Sequence, residues 1–291
     1  MRYNNKGIHV VVGGDDTPIR QKVLDTIREE CLKRGMAVNV ILLSDISQGK
    51  LAPFPWEKQG VIWDKSPILA IGGDGTFIGA MKYGEQRPVI GVNMGTLGFL
   101  TEIPPTKKGI ASAIAKLHKW NYYTLFCKNL DYNIWRKGAK VFEGWAVNDV
   151  VLARDNAVSN IVFDATNNGR FIHRYSADGM VISSPIGASA YALSCGAPII
   201  EPTSNIICMS PIAPHSLNNR SLVFDNHSAT LELIVRRSRN SAVKTIVCVD
   251  GRNEYELEEG DTVRVWMGKR ESPIIRFDAK AAYERLALRL A

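Results

Sequence analysis

The stretch ILAIGGDGTFIGAMKYG, residues 68–84, most constrains how this 291-residue chain can fold. A short apolar run enters the loop Gly72-Gly73-Asp74-Gly75-Thr76, and a helical pattern begins directly after it. Glycines allow a tight turn from a buried strand into a helix. Such a transition is typical of an open parallel α/β sheet, in which ligands bind outside the carboxyl ends of the strands.

The rest of the first hundred residues repeats this alternation of strand and helix. Residues 18–34 predict a helix, because Pro18 suits a first turn and Gly35 suits a stop. Its buried stripe is expected to contain Ile19, Val23, Ile27 and Leu32. Apolar runs of strand length predict further buried strands at 7–14, 38–43 and 88–93. The loops expected on one ligand-facing edge of the sheet are 13–16, 72–76 and 93–98.

After a predicted helix near 106–119 the hydrophobic pattern changes to period two, which favours a largely antiparallel domain. We therefore predict an α/β N-terminal domain with a parallel sheet, residues 1–103, and a β-rich, β-sandwich-like C-terminal domain, residues 104–277. Residues 279–290 predict a closing helix. The apolar positions expected on one side of their strands are Tyr123, Leu125 and Cys127, then Leu231, Leu233 and Val235, then Val263, Val265 and Met267.

The chain carries a formal net charge of +7, and 45% of its residues are hydrophobic. Lys and Arg are spread along the chain, which fits an anionic small-molecule ligand better than nucleic acid or a membrane surface. Five cysteines without a CxxC pair predict reduced, mostly buried thiols. No apolar run reaches membrane-spanning length and the N-terminal residues lack a signal-peptide pattern, so we expect a cytoplasmic protein.

The glycine loop could hold phosphate through backbone N–H groups at the start of the following helix. It matches neither GxxxxGK[ST] nor GxGxxG, so the usual nucleotide motifs are absent. A carboxylate at Asp74 could accept a proton from a hydroxyl, bind a ribose or hold Mg²⁺. The alternative is a tight turn in which Asp74 only caps the helix.

Two later segments also carry candidate binding residues. Asn148-Asp149 interrupts an apolar run and could offer a donor and an acceptor to a ligand, or could simply cap a turn. In the segment 175–200, small residues open a predicted helix, and Ser189 and Tyr191 could bind a ligand, although an ordinary capped loop is the alternative. A serine hydrolase and a zinc hydrolase are disfavoured, because GxSxG and HExxH are absent.

Taken together, these motifs resemble those of the NAD kinase family from about residue 68 to about residue 265. The first motif alone is weak, because some lipid kinases and phosphofructokinases carry similar loops, but the ordered set is specific. The motifs are GGDGT at 72–76, GVNMGTLGFLTEI at 91–103, VNDVVL at 147–152, DGMVISSPIGASAYALSCGAPI at 178–199, SPIAPHSLNNRSLVF at 210–224 and VDG at 249–251.

The resemblance implies phosphorylation of the adenosine ribose 2′-hydroxyl of NAD by ATP with Mg²⁺, giving NADP. It implies that Asp74 is the general base beside Gly75, that Asn148 and Asp149 bind adenosine or ribose, and that residues 278–291 return to the first domain. A homodimer or homotetramer is expected, because family members share sites between subunits. The phosphate loop would be Gly72, Gly73, Gly75 and Thr76. The residues expected around the nicotinamide riboside or a neighbouring subunit's adenine are Asp178, Ser189, Ala190, Tyr191, Ala192, Leu193 and Ser194.

The chain departs from the family pattern at several of these positions. Ile186 stands where many relatives have threonine, whereas Ser189 keeps a hydroxyl. Ser176 stands where some bacterial members have arginine near the nicotinamide, which bears on the choice between NAD and NADH. Arg252 replaces a frequent glutamine and adds a cation at a substrate contact or an interface. Two other functions stay open: a lipid or sugar kinase with the same loop, and a non-catalytic NAD sensor.

Overall fold

The structure is a computed structural model that describes residues 7–47, 57–58, 61–62, 66–84, 86–95, 98–155, 159–216, 218–225, 229–238 and 243–278. The chain divides into two compact units. The first contains residues 1–126 and 272–291, and the second contains residues 127–271. None of the helices in these described ranges is long and apolar enough to cross a membrane.

The first unit alternates strands and helices, as the sequence pattern predicts. In chain order its elements are β1 (Gly7–Val12), α1 (Pro18–Leu32), β2 (Ala37–Leu42), α2 (Leu43–Ser47), β3 (Glu57–Lys58), β4 (Val61–Ile62), β5 (Ile68–Gly72), α3 (Asp74–Gly84), β6 (Val89–Asn93) and α4 (Lys107–His118).

The main sheet of the first unit is parallel, in the order β2-β1-β5-β6. Strands β1, β5 and β6 consist largely of buried β-branched and aliphatic residues, as expected for strands covered on both faces. The predicted parallel α/β architecture is therefore confirmed. The register pairs Ile71 with Val92 and Gly72 with Asn93, so the ends of β5 and β6 are neighbours.

Two of the four positions predicted to form the buried stripe of helix α1 are buried, and two are exposed. Thr17 caps the helix by accepting from the N–H of Arg20 at 3.3 Å, and Val23 and Ile27 are buried. Ile19 and Leu32, however, are 66% and 80% exposed. The packed face runs through Val23, Ile27 and Cys31 at helical spacing, so Leu32 is turned away by about 100°. Ile19 precedes that face, in the exposed first turn.

The two units divide between Phe126 and Cys127, whereas the change in hydrophobic period places a boundary between residues 103 and 104. The reason is that α4 belongs to the first core, where Ile110 and Ile114 pack in the same cluster as Ile27. The predicted boundary lies near the start of this helix, but the domain boundary follows the helix because its buried residues pack in the first core. Helix α4 still forms close to where it was predicted.

The chain returns to the first unit at Ser272. Ile274 pairs in parallel with Val89, Arg276 Nη1 donates to the carbonyl of Leu100 at 2.7 Å, and the N–H of Phe277 donates to Glu102 Oε1 at 3.0 Å. The predicted closing helix at 279–290 lies outside the described residues.

The second unit is built almost entirely of strands, of which the first and the last extend a few residues beyond its bounds at 127 and 271. In chain order its elements are β7 (Tyr123–Arg136), β8 (Ala139–Ala146), β9 (Asp149–Arg154), β10 (Ile161–Asn167), β11 (Arg170–Ala177), β12 (Gly179–Ser183), a 3₁₀ turn (Gly187–Ser189), α5 (Tyr191–Ser194), β13 (Ile206–Ile212), β14 (Leu222–Asp225), β15 (Thr230–Arg236), β16 (Thr245–Val249), β17 (Arg252–Leu257) and β18 (Thr262–Arg276).

Two antiparallel arrangements enclose one apolar core in this unit. One has the order β14-β13-β12-β9-β16-β17, and the other joins β11-β10-β15-β18 with β7 and β8. Side chains from both, such as Leu152 and Met180 from the first and Phe163 and Leu231 from the second, meet in one buried cluster. The predicted β-sandwich-like domain is confirmed, and the expected apolar stripes of β15 and β18 are buried.

Replacing the two isoleucines of α1 tests the corrected helix face. Ile27→Ala should lower the free energy of unfolding by about 2–5 kcal/mol, because it leaves a cavity in the first core. Ile19→Ala, the matched control, should change it by at most about 0.5 kcal/mol, because this side chain is exposed. Urea unfolding followed by circular dichroism measures both values. Equal losses in the two variants would contradict this assignment of the face.

Candidate active site

Asp74 is the first residue of α3, and its carboxylate binds the segment that follows β6. Oδ2 accepts from the N–H of Phe99 at 2.9 Å, and Oδ1 accepts from the N–H of Leu100 at 3.1 Å. The carboxylate in the glycine loop therefore holds a neighbouring loop in place. A carboxylate oxygen can accept more than one hydrogen bond, so both oxygens keep capacity for another donor.

The glycines of this loop have two different surroundings. A side chain at Gly72 would clash with Thr76, whose buried side chain fills the space beside the end of β5. Gly73 and Gly75 are exposed, and nothing lies within 4 Å of where their side chains would start. A phosphate could therefore approach the backbone at Gly73 and Gly75, next to the N-terminus of α3.

The second unit contains an open pocket of about 460 Å³, a volume typical of small-molecule sites. Four of the predicted site residues line it, together with five residues that were not predicted as site residues, although three of these five lie in the quoted motifs. The predicted four are Asn148, Asp149, Ala190 and Tyr191, and the others are Val151, Ala153, Cys248, Asp250 and Gly251.

The hairpin turn between β16 and β17 brings Asp250 to this pocket. Asp250 and Gly251 have φ angles of 48° and 78°, the positive values that a type I′ turn requires at both central residues. The Asp250 carboxylate accepts from three consecutive N–H groups, those of Val147 at 3.0 Å, Asn148 at 2.7 Å and Asp149 at 3.3 Å. The motif VDG was visible in the sequence, but its contact with residues about a hundred positions earlier was not.

Ser184 holds the same segment from its carbonyl side. Its hydroxyl donates to the carbonyl of Val147 at 2.6 Å, and its N–H donates to the carbonyl of Asn148 at 2.8 Å. Gly187 lies so close that any side chain there would clash with the Asn148 carbonyl. The small residues of the third motif therefore allow close packing against Asn148, a role that the sequence reasoning missed.

Two of the polar side chains that line the pocket, those of Asn148 and Asp149, are strongly buried. Asn148 is 8% exposed, and its Oδ1 has no hydrogen-bond partner among the described residues. Asp149 is 4% exposed, and burial, with the negative charge of Asp250 as a second cause, raises its pKa to about 7. Near neutral pH Asp149 can therefore act as an acceptor or, when protonated, as a donor.

Cys248 lines the pocket but is poorly suited to be a nucleophile. Burial first, and then the charge of Asp149, raise the pKa of its thiol, so the protonated form is favoured. All five cysteines are free, and Cys31, Cys127 and Cys208 are buried, as the sequence predicts.

The remaining predicted site residues do not line this pocket. Asp178 forms an ion pair with Arg154 at 2.6 Å. Ser176 is exposed on β11, and Arg252 is exposed at the start of β17. Ser189 donates its hydroxyl to the carbonyl of Ile186 at 3.0 Å. The other three predicted site residues belong to α5. Ala192 is buried in a small apolar cluster, whereas Leu193 and Ser194 are exposed.

The predicted helix after the third motif is much shorter than the sequence pattern suggests. The 3₁₀ turn Gly187–Ser189 and the single turn Tyr191–Ser194 are separated at Ala190, whose ψ of −124° is not helical. This break turns Ala190 and Tyr191 toward the pocket rather than along a helix axis.

Two family models match the chain. That of the ATP-NAD kinase N-terminal domain matches residues 64–122, and that of the ATP-NAD kinase C-terminal domain matches residues 147–277. The chain belongs to the ATP-NAD kinase family. Its activity is the transfer of a phosphoryl group from ATP to a hydroxyl of NAD, which gives NADP. The family match decides against the lipid or sugar kinase and the non-catalytic sensor.

Curated relatives agree with the family models. The NAD kinase of Lachnospira eligens is 34% identical over 232 residues, which cover 75% of this chain and 78% of that protein. The NAD kinase of Ectopseudomonas mendocina is 34% identical over 253 residues, covering 84% of this chain and 83% of that protein.

Solved structures show the same fold. The yeast NADH kinase complexed with NADH has a TM-score of 0.78 and 25% identity, covering 99% of this chain and 88% of that one. An NAD kinase from Archaeoglobus fulgidus in complex with ATP has a TM-score of 0.69 and 18% identity, covering 96% of this chain and 97% of that one. The second likeness is evidence for the fold alone.

The raised pKa of Asp149 predicts a specific pH dependence of stability. The folded protein holds this proton more tightly than the unfolded chain, so stability is lost as the pH rises from about 4 to about 7. The loss should approach about 1.4 kcal/mol per pH unit. Asp149→Asn should remove this pH-dependent loss, because the side chain no longer ionises. The difference in the free energy of unfolding, variant minus native protein, should therefore be more positive at pH 8 than at pH 4.5.

Urea unfolding at the two pH values measures this difference. Glu259→Gln is the matched control, because Glu259 is exposed in the turn before β18, and its effect should be the same at both pH values. A pH-independent effect of Asp149→Asn would show that this carboxyl has an ordinary pKa.

Proposed function

We propose that the pocket of the second unit binds the adenosine part of NAD and that Asp74 is the general base for the ribose 2′-hydroxyl. The observation that carries the first assignment is the buried Asn148 Oδ1, an acceptor without a partner among the described residues, beside the carboxyl of Asp149. A buried polar atom without a hydrogen bond is costly, and a ligand that donates to it removes that cost. Adenosine offers an amino group and hydroxyls as donors.

The charges of the pocket favour a nucleoside over a phosphate. Its lining contains Asp149 and Asp250 but neither Lys nor Arg, so a phosphate there would be repelled. Val151, Ala153 and Tyr191 supply apolar surface that suits a base. We therefore assign the phosphate groups to the loop of the first unit, where Gly73 and Gly75 border open space and Gly72 and Thr76 pack tightly.

Asp74 is suited to take a proton during the transfer. Two backbone N–H groups fix the orientation of its carboxylate, and each oxygen can still accept from a hydroxyl. As the ribose oxygen forms its bond to the γ-phosphorus of ATP, the O–H bond breaks and the proton moves to Asp74, while ADP leaves. Fixing the base in advance reduces the entropy lost on reaching the transition state.

A divalent ion, Mg²⁺, is proposed to enter with ATP. The described ranges contain no group of three or more His, Cys, Asp or Glu side chains that could hold a metal ion on their own. This fits an ion bound mainly by phosphate oxygens and water, as is usual for Mg²⁺. When bound, it offsets the negative charge that develops on the phosphates. Asp74 is the residue of the phosphate loop that could ligate it.

The other residues singled out from the sequence are assigned to the rest of the dinucleotide. Asp178, Ser176 and Arg252 are proposed to act near the nicotinamide riboside or at a subunit interface, together with the exposed Leu193 and Ser194 and the neighbouring Ser189 and Ala192. Because Ser176 is uncharged and the yeast relative binds NADH, we propose NADH as a second acceptor. We also propose a cytoplasmic homodimer or homotetramer, which light scattering after size-exclusion chromatography tests.

Replacing Asp74 tests the general base. Asp74→Asn should lower kcat by about 10²–10⁴-fold, because a general base typically contributes that much. NAD binding, measured by calorimetry, should be partly retained. The matched control is Asp25→Asn, which removes an exposed carboxylate on α1 rather than in one of the loops expected at the ligand-facing edge, and which should keep normal kcat. NADP formation is measured with a coupled NADP-specific dehydrogenase. A decrease in kcat of less than tenfold would show that Asp74 is not the general base and serves only to bind the N–H groups of Phe99 and Leu100.

Replacing Asn148 tests the pocket. Asn148→Ala should raise the Kd for NAD about tenfold, because one hydrogen bond to the ligand is lost. Asn167→Ala is the matched control: Asn167 Oδ1 is also buried without a partner among the described residues, but Asn167 does not line the pocket. If both variants bind NAD with the native Kd, NAD does not occupy this pocket.

A further inference from the structure

The turn at Asp250 lies beside the candidate ligand-binding residues without belonging to their motif. We propose that Asp250 is a positioning residue for the reaction, which fixes the backbone that presents Asn148 and Asp149 to the dinucleotide. This inference rests on the proposed function of the pocket. Asp250 would act through Asn148 and Asp149 rather than by touching the substrate itself.

The backbone hydrogen bonds of the segment Val147–Asp149 carry the argument. The three N–H groups of this segment all donate to the Asp250 carboxylate, at 2.7–3.3 Å. Its three carbonyls accept from the hydroxyl of Ser184, from the N–H of Ser184 and from the N–H of Asp250, the last at 3.2 Å. Every backbone polar group of the segment is thus bonded, half of them to a single carboxylate.

The backbone of this segment is fully hydrogen-bonded, but one of its side-chain acceptors is not. Asn148 Oδ1 has no partner within the described part of the chain, and it lines the pocket. A rigid backbone that presents an unpaired polar atom is a preorganised ligand contact, because little entropy is lost when the ligand binds. Without Asp250, three adjacent N–H groups would lose their acceptor, and the segment would have to rearrange.

Asp250 also acts on Asp149 through its charge. The titratable groups that face Asp149 are Tyr191 and Cys195 from α5 and its C-terminal end, Cys248 from β16, and Asp250 from the turn, whereas the paired strand β12 contributes the neutral Ser183. Of these, Asp250 is the group whose charge adds to the effect of burial on the pKa of Asp149. Its charge supports the raised pKa of Asp149, so NAD binding should change with the ionisation of Asp149 near pH 7.

Asp250→Asn separates this role from a general structural one. The Asn side chain keeps one acceptor but turns an NH₂ group toward backbone N–H donors, and it removes the charge. We expect at least a tenfold higher Kd for NAD and a lower pH midpoint for NAD binding, because Asp149 then ionises at lower pH. Amide hydrogen exchange at residues 147–149 should become faster in the ligand-free protein.

Asp250→Glu is the conservative comparison. It keeps the charge on a longer side chain, so the pH midpoint should stay near that of the native protein, while the Kd rises by about three- to tenfold because the segment shifts. If Asp250→Asn does not fold, Asp250→Glu still tests the positioning role. An unchanged Kd for NAD in Asp250→Glu overturns the inference. In a folded Asp250→Asn protein, a native Kd together with a native pH midpoint overturns it as well.

The comparison with Asn148→Ala distinguishes failure of this inference from failure of the proposed function. If Asn148→Ala weakens NAD binding and Asp250→Asn does not, the pocket assignment stands and Asp250 has no positioning role. If neither variant changes the Kd, NAD does not bind in this pocket, and both proposals fail.

Discussion

Backbone N–H groups that find no partner in a helix or strand ladder need other acceptors, and in this protein two aspartates accept from several of them. Asp74 binds the N–H groups of Phe99 and Leu100 in the first unit. Asp250 binds three consecutive N–H groups in the second. In each case a carboxylate from one loop accepts from backbone N–H groups of another segment of the chain. The loops around the candidate site depend on these contacts for their shape.

At Asp74 this arrangement explains how a carboxylate can lie in the loop that we propose for phosphate. A carboxylate that accepts several N–H groups shares its charge with their dipoles, so it is less repulsive than an isolated one. At Asp74 the contacts also fix the direction in which an oxygen can receive a proton. At Asp250 the charge is close enough to raise the pKa of the neighbouring Asp149. Structural and chemical roles therefore depend on the same hydrogen bonds.

The proposed roles of the pocket and the glycine loop match their different chemistries. The pocket is lined by acids, one amide and apolar groups, which suits an uncharged nucleoside. The glycine loop offers open backbone at a helix start, which suits phosphate. The structure describes each within its own unit.

Periodicity in the sequence determined the class of each unit. Buried β-branched runs alternating with helices gave the parallel sheet, and alternation with period two gave the antiparallel unit, because burial on one or two faces of a strand leaves a local pattern. The ordered motifs were sufficient to indicate the family and the residues Asp74, Asn148 and Asp149. The predicted stripe failed at Ile19, because helical spacing does not reveal where the covering element begins, and at Leu32, because this residue lies about 100° from the packed face.

Only the tertiary structure decided which groups act together. The contact between Asp250 and Asn148 joins residues about a hundred positions apart, and the clash that requires glycine at Gly187 depends on the distant Asn148 carbonyl. The raised pKa of Asp149 likewise needs burial and a second carboxylate from another strand pair. Local sequence specifies the preferences of a segment, whereas its charge environment and its hydrogen-bond partners come from chain segments that only folding brings into contact.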